Sequence, residues 1–114
     1  MDPGKALLES LSMASSTPDY GASDREVFLE KQREKLRKII ISPTSVTAHP
    51  SNWAKEHGVF QDETYEMFAV AGEGENWLLY HPDSESFSLA RGKLGSRMEL
   101  IGFRSKDALA EWYG

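Results

Sequence analysis

The chain has 114 residues, 39% of them hydrophobic and 27% charged, which suits one domain able to bury a real core. It contains no cysteine, so disulfides, thiolate metal sites and cysteine nucleophiles are excluded. Eighteen acids against thirteen bases give a net charge of −5, which argues against a general nucleic-acid binder. No run approaches the roughly 20 apolar residues of a transmembrane helix, and no basic region followed by an apolar one opens the chain. A cytoplasmic protein with no membrane contact is therefore expected.

In chain order, residues 1–22 read as an N-terminal tail with a short helix over about Gly4–Met13, which would persist only if docked. Residues 23–114 read as a single α+β domain. Ser23-Asp24-Arg25-Glu26 has the pattern of a capping box, and Phe28, Leu29, Gln32, Leu36, Ile39 and Ile40 follow at helical spacing, which predicts a helix over 24–40. Ser42-Pro43 ends it. Residues 42–50 read as a loop or extended segment, and Ser51 as the cap of a short helix, Asn52–His57, closed by Gly58.

From residue 59 the period changes from helical to alternating. Strands are predicted over Thr64–Ala71, Trp77–His81, Ser86–Arg91 and Met98–Phe103, with turns at 72–76, 82–85 and 92–96 between them. Ser105 then caps a last helix, Lys106–Tyr113, with Ala108, Leu109 and Trp112 on its apolar face. Helices flanking a run of strands predict an α+β fold: an antiparallel sheet of about four strands with the N-terminal and C-terminal helices packed on it. The expected core is Phe28, Leu36, Ile39, Met67, Trp77, Leu79, Phe87, Leu89, Leu100, Leu109 and Trp112.

No catalytic constellation emerges. Gly72-Glu73-Gly74 lacks the Lys and Ser/Thr of a phosphate loop, and its acid would repel a phosphate. His49, His57 and His81 show no metal-ligand spacing, though His57 or His81 could meet Asp62 or Asp83 in space. No serine sits in a nucleophile elbow. No enzyme activity, cofactor or metal is expected.

The charge pattern is the informative feature. From Glu56 to Ala90 there are eight acids and no Lys or Arg, whereas the rest of the chain has ten acids and thirteen bases. Such a segment attracts a basic partner and raises its on-rate. The candidate contact residues are Asp62, Glu63, Glu66, Glu73, Glu75, Asp83 and Glu85, with Trp53 as an aromatic anchor at their edge. A merely solubilising surface is the competing explanation.

The run Glu75-Asn76-Trp77-Leu78-Leu79-Tyr80-His81-Pro82-Asp83-Ser84-Glu85-Ser86-Phe87-Ser88-Leu89 resembles the central hairpin of the SMI1/KNR4-like (SUKH) superfamily. The ending Ile101-Gly102-Phe103-Arg104-Ser105-Lys106-Asp107-Ala108-Leu109-Ala110-Glu111-Trp112 is similar to that family's last strand and closing helix. Upstream, Thr17 stands where the family has Leu, and a long 42–58 segment replaces its Asn-Gly step. The resemblance implies an α+β protein-binding domain of the immunity type, which neutralises a basic toxin or effector and carries no catalytic residues. An acidic chaperone or adaptor for a secreted effector, and a small hydrolase, are the alternative classes.

Overall fold

The computed structural model describes residues 2–13, 24–57 and 60–113, so the capping roles expected of Ser23 and Gly58 lie outside the described residues. The elements run α1 (Pro3–Leu11), α2 (Arg25–Arg37), β1 (Ile40–Pro50), α3 (Asn52–Glu56), β2 (Tyr65–Glu73), β3 (Asn76–His81), β4 (Ser86–Arg91), β5 (Met98–Leu100) and α4 (Ala108–Tyr113). The fold is α+β, as the change of period predicts. The strand count is five rather than about four, and the sheet closes into a barrel in the order β1-β2-β3-β4-β5.

The added strand is β1, which takes up the 42–50 segment read as loop or extended chain and also Ile40, expected in the helix, since α2 stops at Arg37 rather than at residue 40. Its Ser, Thr and Pro content hides the signal, but Val46, Ala48 and Pro50 are buried at every second position. Pro43 falls within an irregularity in the β1–β2 register between Ile40 and Thr44, where its missing N–H breaks no ladder bond. In an up-and-down meander of five strands, the first and last run the same way. The closing pair is therefore parallel, with Ala48 opposite Met98 and Pro50 opposite Leu100. β5 stops at Leu100, short of the Phe103 expected, where β1 has also ended and the Ser51 N–H donates to the Leu100 carbonyl.

Closure gives the protein two cores. Val46, Ala48, Met67, Ala69, Leu79, Ala90, Met98 and Leu100 fill the barrel with Phe60 and Ala54. Leu78, Tyr80 and Phe87 point the other way, onto Leu7, Leu11, Leu29, Leu36 and Leu109 of the helices. Of the expected core, Leu36, Met67, Leu79, Phe87, Leu100 and Leu109 are buried, while Phe28, Ile39, Trp77, Leu89 and Trp112 are only half-buried. Trp77 sits at the end of the barrel rather than inside it. Its ring crosses Gly72, directly opposite in register, and its Nε1–H donates to the Gly92 carbonyl at 2.8 Å. Glu73 and Asn76 pair around a two-residue turn whose first member, Gly74, has φ 64°. The reversal is thus tighter than the 72–76 span expected, and a glycine first in it suits a type II′ hairpin.

The helices are held by local caps and one long-range clamp. Asp24 caps α2, its carboxylate accepting the Val27 N–H. Ser51 caps α3 as expected. On α2, Glu30 pairs with the largely buried Arg33 and with Arg37, Glu34 pairs with Arg37, and the Arg37 guanidinium holds the Glu30 carboxyl below its ordinary value. The solvent-exposed Arg37 pairs contribute little to stability. α4 begins two residues later than expected: Ser105 Oγ accepts the Asp107 N–H, and Asp107 in turn accepts the Ala110 N–H. Ser10 of α1 then accepts the Ala108 N–H and donates to the Lys106 carbonyl, tying the first helix to the last. α1 is thereby docked, and it buries Ala6, Leu7 and Leu11.

Glu111 of α4 accepts the N–H groups of Leu89 and Phe103, beside the short β5. Burial pushes its carboxyl up to about 7, against the opposing pull of those two N–H bonds. The unfolded chain releases this proton near 4.5 and the folded chain near 7. Between these values the folded state binds more protons, so stability falls as pH rises. Glu111→Gln is expected to remove that slope, about 1–2 kcal/mol once the carboxyl's partial exposure is allowed for. His81, whose folded value is lowered by burial, contributes the opposite trend as pH falls. The informative measurement is therefore the parent-minus-variant difference in urea stability from pH 4.5 to 7.5. A flat difference refutes the assignment.

Candidate surface at the acidic end of the barrel

The sequence-predicted contact residues are all exposed, but the hairpins distribute them over two ends of the barrel. β3 connects the 74–75 turn to the 82–85 turn, and six residues of strand separate the ends by about 20 Å. Glu73 and Glu75 are at one end, in a cleft shared with Arg91, Trp112 and Tyr113. Asp62, Glu63, Asp83 and Glu85 are at the other, because β2 starts beside the end of β3. Glu66 stands on β2, accepts the Thr47 hydroxyl at 2.9 Å and shares a shallow cleft with Arg97. The single acidic run of the sequence thus becomes separate patches, and an arginine from the C-terminal part of the chain shares a cleft with each: Arg91, brought by the β3–β4 hairpin, and Arg97 and Arg104, which flank β5.

The end carrying Asp62, Glu63, Asp83 and Glu85 also carries Trp53. β1 delivers α3 there, since Pro50 pairs with Leu100 at the same end of the barrel. Trp53 is 41% exposed, stacked on His57 at 4.1 Å and packed edge-on against Phe103 at 5.0 Å. Phe103 is 54% exposed. His57 fixes this arrangement from below: its Nδ1 lies 2.8 Å from the Trp53 carbonyl oxygen, so Nδ1–H donates. Two neighbouring aromatic rings thus stand in solvent on a short capped helix and the segment after β5. Comparison with protein-family models, curated proteins and solved structures gives no match. The reading of this surface rests on its own geometry.

Next to Phe103, the Arg104 guanidinium lies 4.9 Å from the Phe60 ring centre and 6.0 Å from that of Tyr65. Tyr65 packs edge-on against Phe60 at 5.3 Å and against His81 at 5.2 Å. Its hydroxyl oxygen accepts the Gln61 and Asp62 N–H groups, each at 2.9 Å, which pins the acidic 61–63 segment to the barrel rim. In the other loop of this end, Glu85 has φ 52°, the one left-handed non-glycine residue among those described. That conformation costs a side-chain-bearing residue about 1–2 kcal/mol. The loop therefore presents a carboxylate where a glycine would fit with less strain.

Phe103, Arg104 and Tyr65 are absent from the candidate residues drawn from sequence, whereas His81 does share a cleft with Asp62 and Asp83, the acids it was considered with. His81 was legible in part. With Trp77 and Leu79 it completes an alternating stripe, which puts it on the inner wall of the barrel rather than simply at a strand end. Phe103 is the expected end of the Met98–Phe103 strand and Arg104 follows it, and nothing local says that pairing stops at Leu100. Among the described residues, no group of three or more His, Cys, Asp or Glu is placed to hold a metal ion, and no helix is long and apolar enough to cross a membrane.

Proposed function

We propose that this chain is a small protein-binding module of the immunity or inhibitor type, which neutralises a basic protein partner, such as a toxin, by covering its active cleft. The observation that carries this reading is the exposed Trp53–Phe103 pair at the same end of the barrel as Asp62, Glu63, Asp83 and Glu85. Rigid aromatic rings are typical anchors of interfaces, and surrounding carboxylates steer a basic surface toward them. The carboxylates pair with the Lys and Arg that hold the target's substrate, and the bulk of the domain blocks access. No catalytic step and no cofactor enter this mechanism. Glu66, Glu73 and Glu75 lie away from the anchor and act only through the long-range field. The resemblance of the C-terminal strands and helix to the SUKH superfamily points the same way. Closure of the barrel favours this reading over an effector chaperone that dimerises through a free strand edge.

Capture of the partner from the native host, followed by affinity measurements on variants, tests the proposal. Asp62→Lys/Glu63→Lys/Asp83→Lys is expected to weaken binding by 100-fold or more, and Trp53→Ala by at least tenfold. Glu73→Lys/Glu75→Lys should change the on-rate by only a few-fold, because charges remote from the contact are screened over about 8 Å at physiological salt. Undiminished binding by the triple variant would rule this surface out.

A further inference from the structure

At the acidic end, the inner wall of the barrel turns polar. The inward residues approaching that end are Leu79 and His81 on β3, and Ser88 and Ser86 on β4. His81 is 5% exposed, and neither ring nitrogen has a hydrogen-bond partner among the described residues. Burial, and then the charge of Arg104, hold its pKa below the ordinary value against the pull of Asp83 and Asp62. The neutral ring offers one N–H and one lone pair. A buried polar group left in this state calls for a partner, and this one calls for an acceptor and a donor together.

A cleft of about 290 Å³ lies at this mouth, lined by Gln61, Asp62, Tyr65, His81, Asp83 and Arg104. Tyr65 accepts two amide protons and so keeps its own proton to donate. A guanidinium presents its N–H donors in a planar fork that matches a carboxylate. The rim carries both signs of charge, with aromatic rings beneath. A simple anion would meet the two carboxylates, and a simple cation would meet Arg104. A molecule carrying both charges meets a partner for each.

We propose that the barrel mouth binds a small zwitterion of α-amino-acid type, its carboxylate held by Arg104 and the Tyr65 hydroxyl and its ammonium by Asp62 and Asp83, over His81. This site needs no protein partner, so it stands or falls separately from the docking surface. The 61–63 and 82–85 loops that flank the site carry all four of that surface's acids.

NMR titration of the full chain with glycine, L-glutamate, L-arginine and L-phenylalanine, each alone, tests the proposal. Acetate and methylammonium serve as the two half-ligands. At least one amino acid should shift the His81 ring and Tyr65 signals saturably, with a Kd near or below ~1 mM. Each half-ligand should bind at least tenfold more weakly. Arg104→Gln and Asp83→Asn should each raise the Kd tenfold or more. Asp83 lies in an exposed turn, so its variant carries the comparison even where Arg104→Gln perturbs folding. The site is refuted if no amino acid of the panel saturates by ~10 mM, if a half-ligand binds as tightly as the zwitterion, or if Asp83→Asn leaves the Kd within twofold.

Discussion

Gly72→Ala is expected to destabilise the protein by about 2–4 kcal/mol, although alanine has the better strand propensity. A Cβ at this position would stand 2.1 Å from Cε3 of Trp77 and 2.5 Å from its Cζ3. The backbone cannot yield easily, because Gly72 lies in the β2–β3 ladder and its N–H donates to the Ile39 carbonyl. The ring must move instead, losing its hydrogen bond to Gly92 and uncovering the end of the barrel. Urea unfolding gives the free energy, and a red shift of native tryptophan emission reports the ring's release. In a Trp77→Leu background the same Gly72→Ala change should cost no more than about 1 kcal/mol, since the obstructing ring is gone. A single variant as stable as the parent would show that this contact does not constrain the barrel.

Leu7→Ala is expected to cost about 2–5 kcal/mol, a large share of the 5–15 kcal/mol typical of a domain. Leu7 is fully buried among the outward residues of β3 and β4 and the faces of α2 and α4. Its neighbour Leu8 is 56% exposed and supplies the control, so Leu8→Ala should change stability by less than about 0.5 kcal/mol. The contrast matters because the segment reads locally as a marginal helix in a tail. Nine residues of α1 would not hold a helix alone. The burial of Leu7 and Leu11, and the Ser10 clamp on the start of α4, are what hold it. Equal effects of the two leucine variants would mean that α1 is not part of the folded unit.

Much of the local architecture was legible. Ser51 before Asn52 announces α3, and the alternation of Ser86-Phe87-Ser88-Leu89-Ala90 announces β4, because caps and strand faces are decided within a few residues. β1 was obscured because Ser, Thr and Pro weaken the strand signal, and because its inward stripe of Val46, Ala48 and Pro50 is small and mixed. The half-burial of Trp77 and Trp112 was not legible either. Large aromatic rings on an apolar face fit equally well inside a core or across its end.

The candidate surface divides in the same way. Exposure of the acids follows from residue type and turn chemistry and could be read directly, whereas that of Trp53 depends on what packs beside its short helix. Which acids stand together depends on strand pairing. The run from Glu56 to Ala90 is one negative segment in sequence, yet each hairpin carries its acids to the far end of a strand.

What the sequence determined by itself is therefore the α+β class, most of the helix and strand positions, and the segregation of charge along the chain. These rest on interactions spanning a few residues, where side-chain period, caps and turn residues suffice. Closure of the barrel, the pairing of Trp53 with Phe103 at the end that carries Asp62, Glu63 and Asp83, and the placing of Arg97 and Arg104 beside the acids were decided by the tertiary structure. The deciding contacts join residues some fifty positions apart, such as Ala48 to Met98 and Pro50 to Leu100. No local pattern encodes that pairing: it arises because a five-stranded meander leaves two parallel edges whose hydrogen bonds must be satisfied.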